Sequence, residues 1–199
     1  MDRPLVVLVH GLASGNPTMW PLAIWIRRAG FATRCFGYFS LFRGVPFHGA
    51  RFRDFLNRMI AKNPDRDLHI VAHSLGGVIT RQALLIERMP QVKRIVTLGT
   101  PHFGTPAATR LVKFGFGVIR TLADVADSPN SVASQLGDLT GIELGTITAS
   151  YDFVIPQSCG KARDAKSHAH IFSGHNGLLV RPKAARLVVK FLKEGSFGQ

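Results

Sequence analysis

Acidic residues are scarce. Twelve Asp and Glu stand against 25 Lys and Arg in 199 residues, giving a formal charge of +13 and an isoelectric point near 10.9. A field of that sign draws anionic partners: nucleic acid, anionic lipid or acidic substrates. Yet no five-residue basic run occurs, and no basic strand is interleaved with aromatics in the manner of an RNA-binding sheet. Nucleic acid is therefore not an expected partner; an anionic membrane surface, or solubility alone, is the better use of the charge. Cysteine is equally sparse. Cys35 and Cys159 allow one bridge at most, exclude a disulfide framework, and show no Cys/His spacing for a metal. A long apolar span is missing too. Residues 5–26 carry no Lys, Arg, Asp or Glu, but they contain Gly11, Gly15, Asn16, Pro17 and Pro21 and read as strand, turn and helix. The run Leu5–Val9 is too short for the core of a signal peptide and no small-residue cleavage site follows, so the expected location is the cytoplasm, with peripheral membrane contact. With no repeat and no linker-like stretch, residues 1–199 are expected to form one domain.

What is present is an alternation of two periods. Leu5–Val9, Phe31–Tyr38, Leu68–Ala72, Val92–Leu98, Ile142–Ser150 and Ala169–Phe172 read as strands, the first a continuous Leu/Val run suited to burial on both faces. Met19–Arg28, Arg51–Lys62, Leu75–Arg88 and Lys183–Lys193 read as helices, with Phe52, Phe55, Leu56, Met59 and Ile60 marking one apolar stripe. Residues 39–48 read as a loop rich in Phe and Gly, and 106–140 as mostly helical. The pattern predicts an α/β fold: a mostly parallel sheet of about six strands flanked by helices on both faces.

The chemistry concentrates at Ile70-Val71-Ala72-His73-Ser74-Leu75-Gly76-Gly77, where a buried strand runs through a serine straight into a helix. That is the pattern of a nucleophile elbow, with small residues two before and two after the serine; Ala72 stands where glycine is usual. The alternative is Ser74 as an ordinary helix N-cap. His10-Gly11-Leu12 ends the first strand beside the elbow, which makes the backbone N–H groups of Leu12 and Leu75 the candidate oxyanion donors, with His10 bracing the loop. Ser74 needs a base. His69 lies inside a strand, His73 is read as pointing away, and His48, His102, His168 and His170 belong to loops or strand edges. His175 follows the last strand and precedes the last helix, overhanging the sheet edge to which the elbow points. Asp152, directly after the fifth strand, is the candidate orienting carboxylate; Asp164 reads as a surface charge, and Asp127 and Asp138 belong to the helical insertion. Phe42 and Phe103, on loops near the site, are candidate lining of an acyl pocket.

Val9-His10-Gly11, the elbow, Leu98-Gly99-Thr100-Pro101-His102-Phe103-Gly104-Thr105-Pro106, Tyr151-Asp152 and Gly174-His175-Asn176-Gly177-Leu178-Leu179 together resemble an α/β-hydrolase of the minimal bacterial lipase type, similar to the esterases related to the GPI inositol-deacylase family. The resemblance covers nearly the whole chain. It implies ester hydrolysis through an acyl-serine on Ser74, Asp152 and His175, with no cofactor and no metal, on lipid-like or aliphatic acyl esters. Thioesterase or acyltransferase chemistry on the same triad is the alternative within the fold, and a non-catalytic protein of anionic membranes is the alternative outside it. The chain departs from the minimal lipases in a 35-residue insertion, Ala107–Gly141, apolar and cationic together. It reads either as a lid or interfacial helix or as a helix pair packed on the fold.

Overall fold

The computed structural model describes residues 3–198. Six strands form one sheet in the order β2-β1-β3-β4-β5-β6, and every pairing is parallel. They are β1 (Leu5–Val9), β2 (Ala32–Phe36), β3 (Leu68–His73), β4 (Val92–Leu98), β5 (Glu143–Tyr151) and β6 (Ser167–Gly174). The expected α/β architecture is thus borne out. β1 and β3 are buried along their whole length, as apolar strands covered on both faces must be.

Strand alternation splits the core into two layers. Val7, Val9, Ile70 and Ala72 face α2 (Val45–Lys62) and α3 (Leu75–Ile86), packing with Phe52, Leu56, Val78 and Ile79. Val6, Leu8, Val71 and Leu98 face α1 (Trp20–Arg28) and α8 (Pro182–Glu194), packing with Leu22, Ile26, Val188 and Phe191. Each fully buried Val, Leu, Ile or Phe among them contributes roughly 1.5–3 kcal/mol. In α8 the buried Ala184, Val188, Phe191 and Leu192 alternate with Lys183, Arg186, Lys190 and Lys193, and Gly195 ends the helix in the left-handed conformation with its N–H on Phe191 O at 2.8 Å.

Two boundaries differ from expectation. α2 begins at Val45 instead of Arg51, and its first amide donates to Asp124 Oδ2 at 2.6 Å. A carboxylate 79 residues away caps the helix, so no local signal marks the start. The insertion is more broken than its helical pattern suggests: α4 (Pro106–Lys113), a 3-10 turn at Phe116–Val118, α5 (Arg120–Asp124) and α6 (Val132–Gln135). Gly115, at φ 93°, ends α4. A further short helix, α7 (Gln157–Gly160), follows β5, and both cysteines are free thiols. No helix among the described residues is long and apolar enough to cross a membrane.

Asp164 corrects another expectation. It is not a surface charge: its side chain is 8% exposed and bonds the equally buried Arg81 of α3 at 2.8 Å, while also accepting Leu139 N–H at 2.7 Å. Arg81 donates further to Gly137 O at 2.6 Å. Burial pushes the Asp164 carboxyl up, but the bonds from Arg81 and the Leu139 amide outweigh it and hold the carboxyl below its usual range. Asp164→Asn strands a buried guanidinium and is expected to cost about 3 kcal/mol, a fall of roughly 6–12 °C in Tm. A carboxyl lowered in the folded state stabilises above its unfolded pKa and loses that contribution as pH falls through the folded value. The Tm gap between wild type and variant should therefore be full at neutral pH and close in acid.

Candidate active site

β3 delivers Ser74 to the carboxyl edge of the sheet in a conformation that few non-glycine residues adopt, φ 53° and ψ −126°. Such a backbone costs on the order of 1–3 kcal/mol and survives only where its surroundings over-determine it. Here Ser74 N–H donates to Leu98 O at 2.9 Å, Thr100 Oγ1 donates to Ser74 O at 3.0 Å, and Gly77 N–H reaches the same carbonyl at 3.0 Å. A Cβ on Gly76 would lie 2.5 Å from His10 O and 2.6 Å from Val9 O, so β1 passes too close for any side chain there. Ala72, two before the serine, is fully buried in the layer facing α2 and α3. Ser74 does precede α3, but its side chain makes no capping bond. Its hydroxyl has no hydrogen-bond partner among the described residues and faces a cavity of about 220 Å³.

His175 opens the 3-10 turn Asn176–Leu179 after β6 and lines the same cavity. Its Nδ1–H donates to Asp152 Oδ2 at 2.7 Å. The Asp152 side chain is 1% exposed, and its other oxygen accepts Val154 N–H at 3.0 Å and Ile155 N–H at 2.7 Å. The carboxylate is thereby pinned, the imidazole tautomer is set, and Nε2 is left as the basic nitrogen. Gly99, at φ 54°, makes room: a Cβ there would stand 3.0 Å from His175 Nδ1.

The Leu12 and Leu75 amides both border the cavity, and neither has an acceptor among the described residues. The loop carrying Leu12 is braced from below. Tyr38 Oη–H donates to His10 O at 2.7 Å and stacks on the His10 ring at 4.3 Å, and Ala13 N–H, at φ 49°, donates to Ser40 Oγ at 2.8 Å. Tyr38 and Ser40 gave no signal in the sequence because they lie on a different loop.

Three expectations are corrected. His73 does not point away: its ring lies 4.7 Å from that of His175, and its Nε2–H donates to His175 O at 3.4 Å. Burial, then the neighbouring His175, pushes its pKa down to about 3, so it is a neutral donor at working pH. Phe42 is 69% exposed and stacks on Phe39, away from the cavity. Phe103 packs under the Arg163 guanidinium at 4.9 Å and also lies outside it. The apolar wall comes from the insertion and the loop after β5: Ala108, Leu111, Leu122, Val125, Val154 and Ile155.

A family model described as "Putative serine esterase (DUF676)" matches residues 2–136, a span that holds Ser74 and stops short of Asp152 and His175. No curated protein matches the chain. Among solved structures, the mature lipase BlEst2 of Bacillus licheniformis superposes with a TM-score of 0.76 at 14% identity, over 97% of this chain and 92% of that one. Aspergillus fumigatus lipase B gives 0.80 at 16% identity over 97% of this chain, which spans 53% of that longer protein. A thioesterase domain from the curacin biosynthetic pathway gives 0.61 at 16% over 96% and 92%. At such identities the likeness shows a shared fold.

The close approach at the elbow has a measurable consequence. Gly76→Ala forces a methyl onto β1 backbone and should cost about 1–3 kcal/mol. Gly137→Ala, where a Cβ meets nothing within 4 Å, should change stability by less than about 1 kcal/mol. Urea unfolding of the two variants checks the difference.

Proposed function

Because this chain belongs to the DUF676 serine esterase family, we propose that it is a serine carboxylic-ester hydrolase working through an acyl-serine. The observation that carries this reading is the Asp152–His175 bond beside a serine hydroxyl with no partner of its own, on one cavity. His175 Nε2 takes the Ser74 proton as Oγ attacks the ester carbonyl. The Leu12 and Leu75 amides receive the oxyanion, each worth roughly 2.7–4 kcal/mol. His175 then protonates the leaving alcohol and deprotonates the water that releases the acid, while Asp152 stabilises the imidazolium.

The apolar wall favours an aliphatic acyl group. At about 220 Å³ the cavity is below the roughly 300–1,000 Å³ that encloses drug-sized ligands, which suits an acyl chain bound end-on with the alcohol left outside. The surface beyond it supports lipid esters presented at an anionic interface. Leu111 and Val154 line the cavity and are also exposed; Phe114, three residues after Leu111, and Phe153, next to Val154, are 80% and 90% exposed, with Arg110 and Lys113 on the same helix as Leu111. Thioester cleavage is the second reading, since the same residues serve either acyl donor and the curacin thioesterase domain shares the fold.

Ser74→Ala is expected to abolish hydrolysis of aryl esters and labelling by a fluorophosphonate probe with Tm unchanged. Asp152→Asn should lower kcat roughly ten-thousand-fold. Full activity in Ser74→Ala ends the proposal; a preference for thioesters over matched oxygen esters selects the second reading. Phe114→Ser combined with Phe153→Ser should reduce hydrolysis of esters in anionic vesicles by about tenfold or more and leave a soluble short-chain ester unaffected.

A further inference from the structure

At the amino edge of the sheet, a groove of about 520 Å³ is lined by Arg3, Arg27, Arg34, Lys62 and Arg66. Among the described residues no carboxylate lines it, and none of the five cations is in an ion pair. Asp65 and Asp67 border the adjoining cavity, which shares Lys62 and Arg66, so among the described residues the uncompensated charge centres on Arg3, Arg27 and Arg34. Local reasons cover part of this. Arg27 and Lys62 sit in the last turns of α1 and α2, where the helix dipole favours a cation, and Arg34 guards the edge strand β2. Neither reason requires five cations to converge on one concavity, where they repel one another.

We propose that this groove is a binding site for a soluble small molecule carrying two or more phosphate groups. Guanidinium forks match phosphate oxygens two bonds at a time, which a scattered basic surface cannot do. Thr33 and Asn63 line the same groove and add neutral donors; Thr33 Oγ1 already accepts a bond from Arg27 Nη1 at 3.4 Å. The site is separate from the ester chemistry. Leu5, at the start of β1, lines the groove, and Gly11, just past the end of β1, lines the Ser74 cavity; the five residues of the strand between span ~17 Å.

Isothermal titration of the full chain with inorganic tripolyphosphate tests it. One molecule should bind in the micromolar range, and Arg27→Gln with Arg34→Gln should weaken it by about tenfold or more. Lys183→Gln with Arg186→Gln removes the same charge from exposed positions of α8 and should change affinity by roughly twofold at most. Both double variants should keep the wild-type Tm and the wild-type rate on a soluble ester. No binding by wild type, undiminished binding by the groove variant, or equal loss in the two variants overturns the proposal. So does binding to phosphatidate vesicles that depends on Arg27 and Arg34 while tripolyphosphate is ignored, since the phosphate would then be a lipid headgroup. Arg3→Gln with Lys62→Gln repeats the test should the first pair fail to fold.

Discussion

Everything at the carboxyl edge depends on holding Ser74 at a positive φ between β3 and α3. A strained turn relaxes unless neighbours leave it no room, and here the neighbours are backbone. The carbonyls of Val9 and His10 press on Gly76, Thr100 closes on Gly77 and on the Ser74 carbonyl, and Leu98 O takes the Ser74 amide. Each contact comes from a central strand or the loop that follows it, so the two buried layers of the sheet are also the clamp on the elbow. This is why the glycines at 76 and 77 are required by packing as much as by chemistry, and why alanine suffices at 72, where the backbone is ordinary strand.

Parallel topology also sorts the charge. Strand carboxyl ends meet helix amino ends, so the positive end of α3 and the unpaired amides of Leu12 and Leu75 face one edge. Helix carboxyl ends collect at the other edge, where Arg27, Arg28 and Lys62 lie. The +13 balance is therefore not one uniform field. Arg81 is matched inside the protein by Asp164, while Arg110 and Lys113 rim an apolar surface. At the amino edge Arg94 is paired with Glu143, whereas Arg3, Arg27 and Arg34 have no ion-pair partner among the described residues.

The sheet was legible in the sequence because β1, β3 and the second half of β4, Ile95–Leu98, are buried runs whose composition admits little else, and because α8 keeps a clean apolar stripe. Ser74, Asp152 and His175 were legible because each directly follows a strand, and in a parallel sheet the strand ends share one edge. Their side-chain partners were not. Asp124 capping α2, Arg81 meeting Asp164, and Ser40 bracing Ala13 join residues 79, 83 and 27 positions apart, and nothing in a local window encodes such a pair. The acyl wall failed for a related reason. Phe42 and Phe103 are large apolar residues on nearby loops, but a ring of that size finds a partner of its own, Phe39 for one and Arg163 for the other. Smaller aliphatic side chains were left to form the cavity.

The insertion is bound into the site more tightly than a simple flap would be. Thr121 Oγ1–H of α5 donates to Ser40 O at 2.8 Å, and the hydroxyl of that same Ser40 accepts the Ala13 amide next to Leu12. Asp124, at the end of α5, holds the first amide of α2, and Thr105 N–H bonds Val125 O at 2.8 Å. Leu122 and Val125, within this anchored stretch, line the cavity. A rigid-body swing of α5 would thus break the support of the Leu12 loop at the same moment as it opened the acyl wall. α4 is tied in as well: Ala108 is buried in the core, Leu111 lines the cavity, and Thr109 Oγ1 accepts the Asp127 amide at 3.0 Å. The insertion therefore shapes the cavity from both α4 and α5 and steadies the Leu12 loop through α5, while Phe114 and Val118 at its outer turn stay largely exposed.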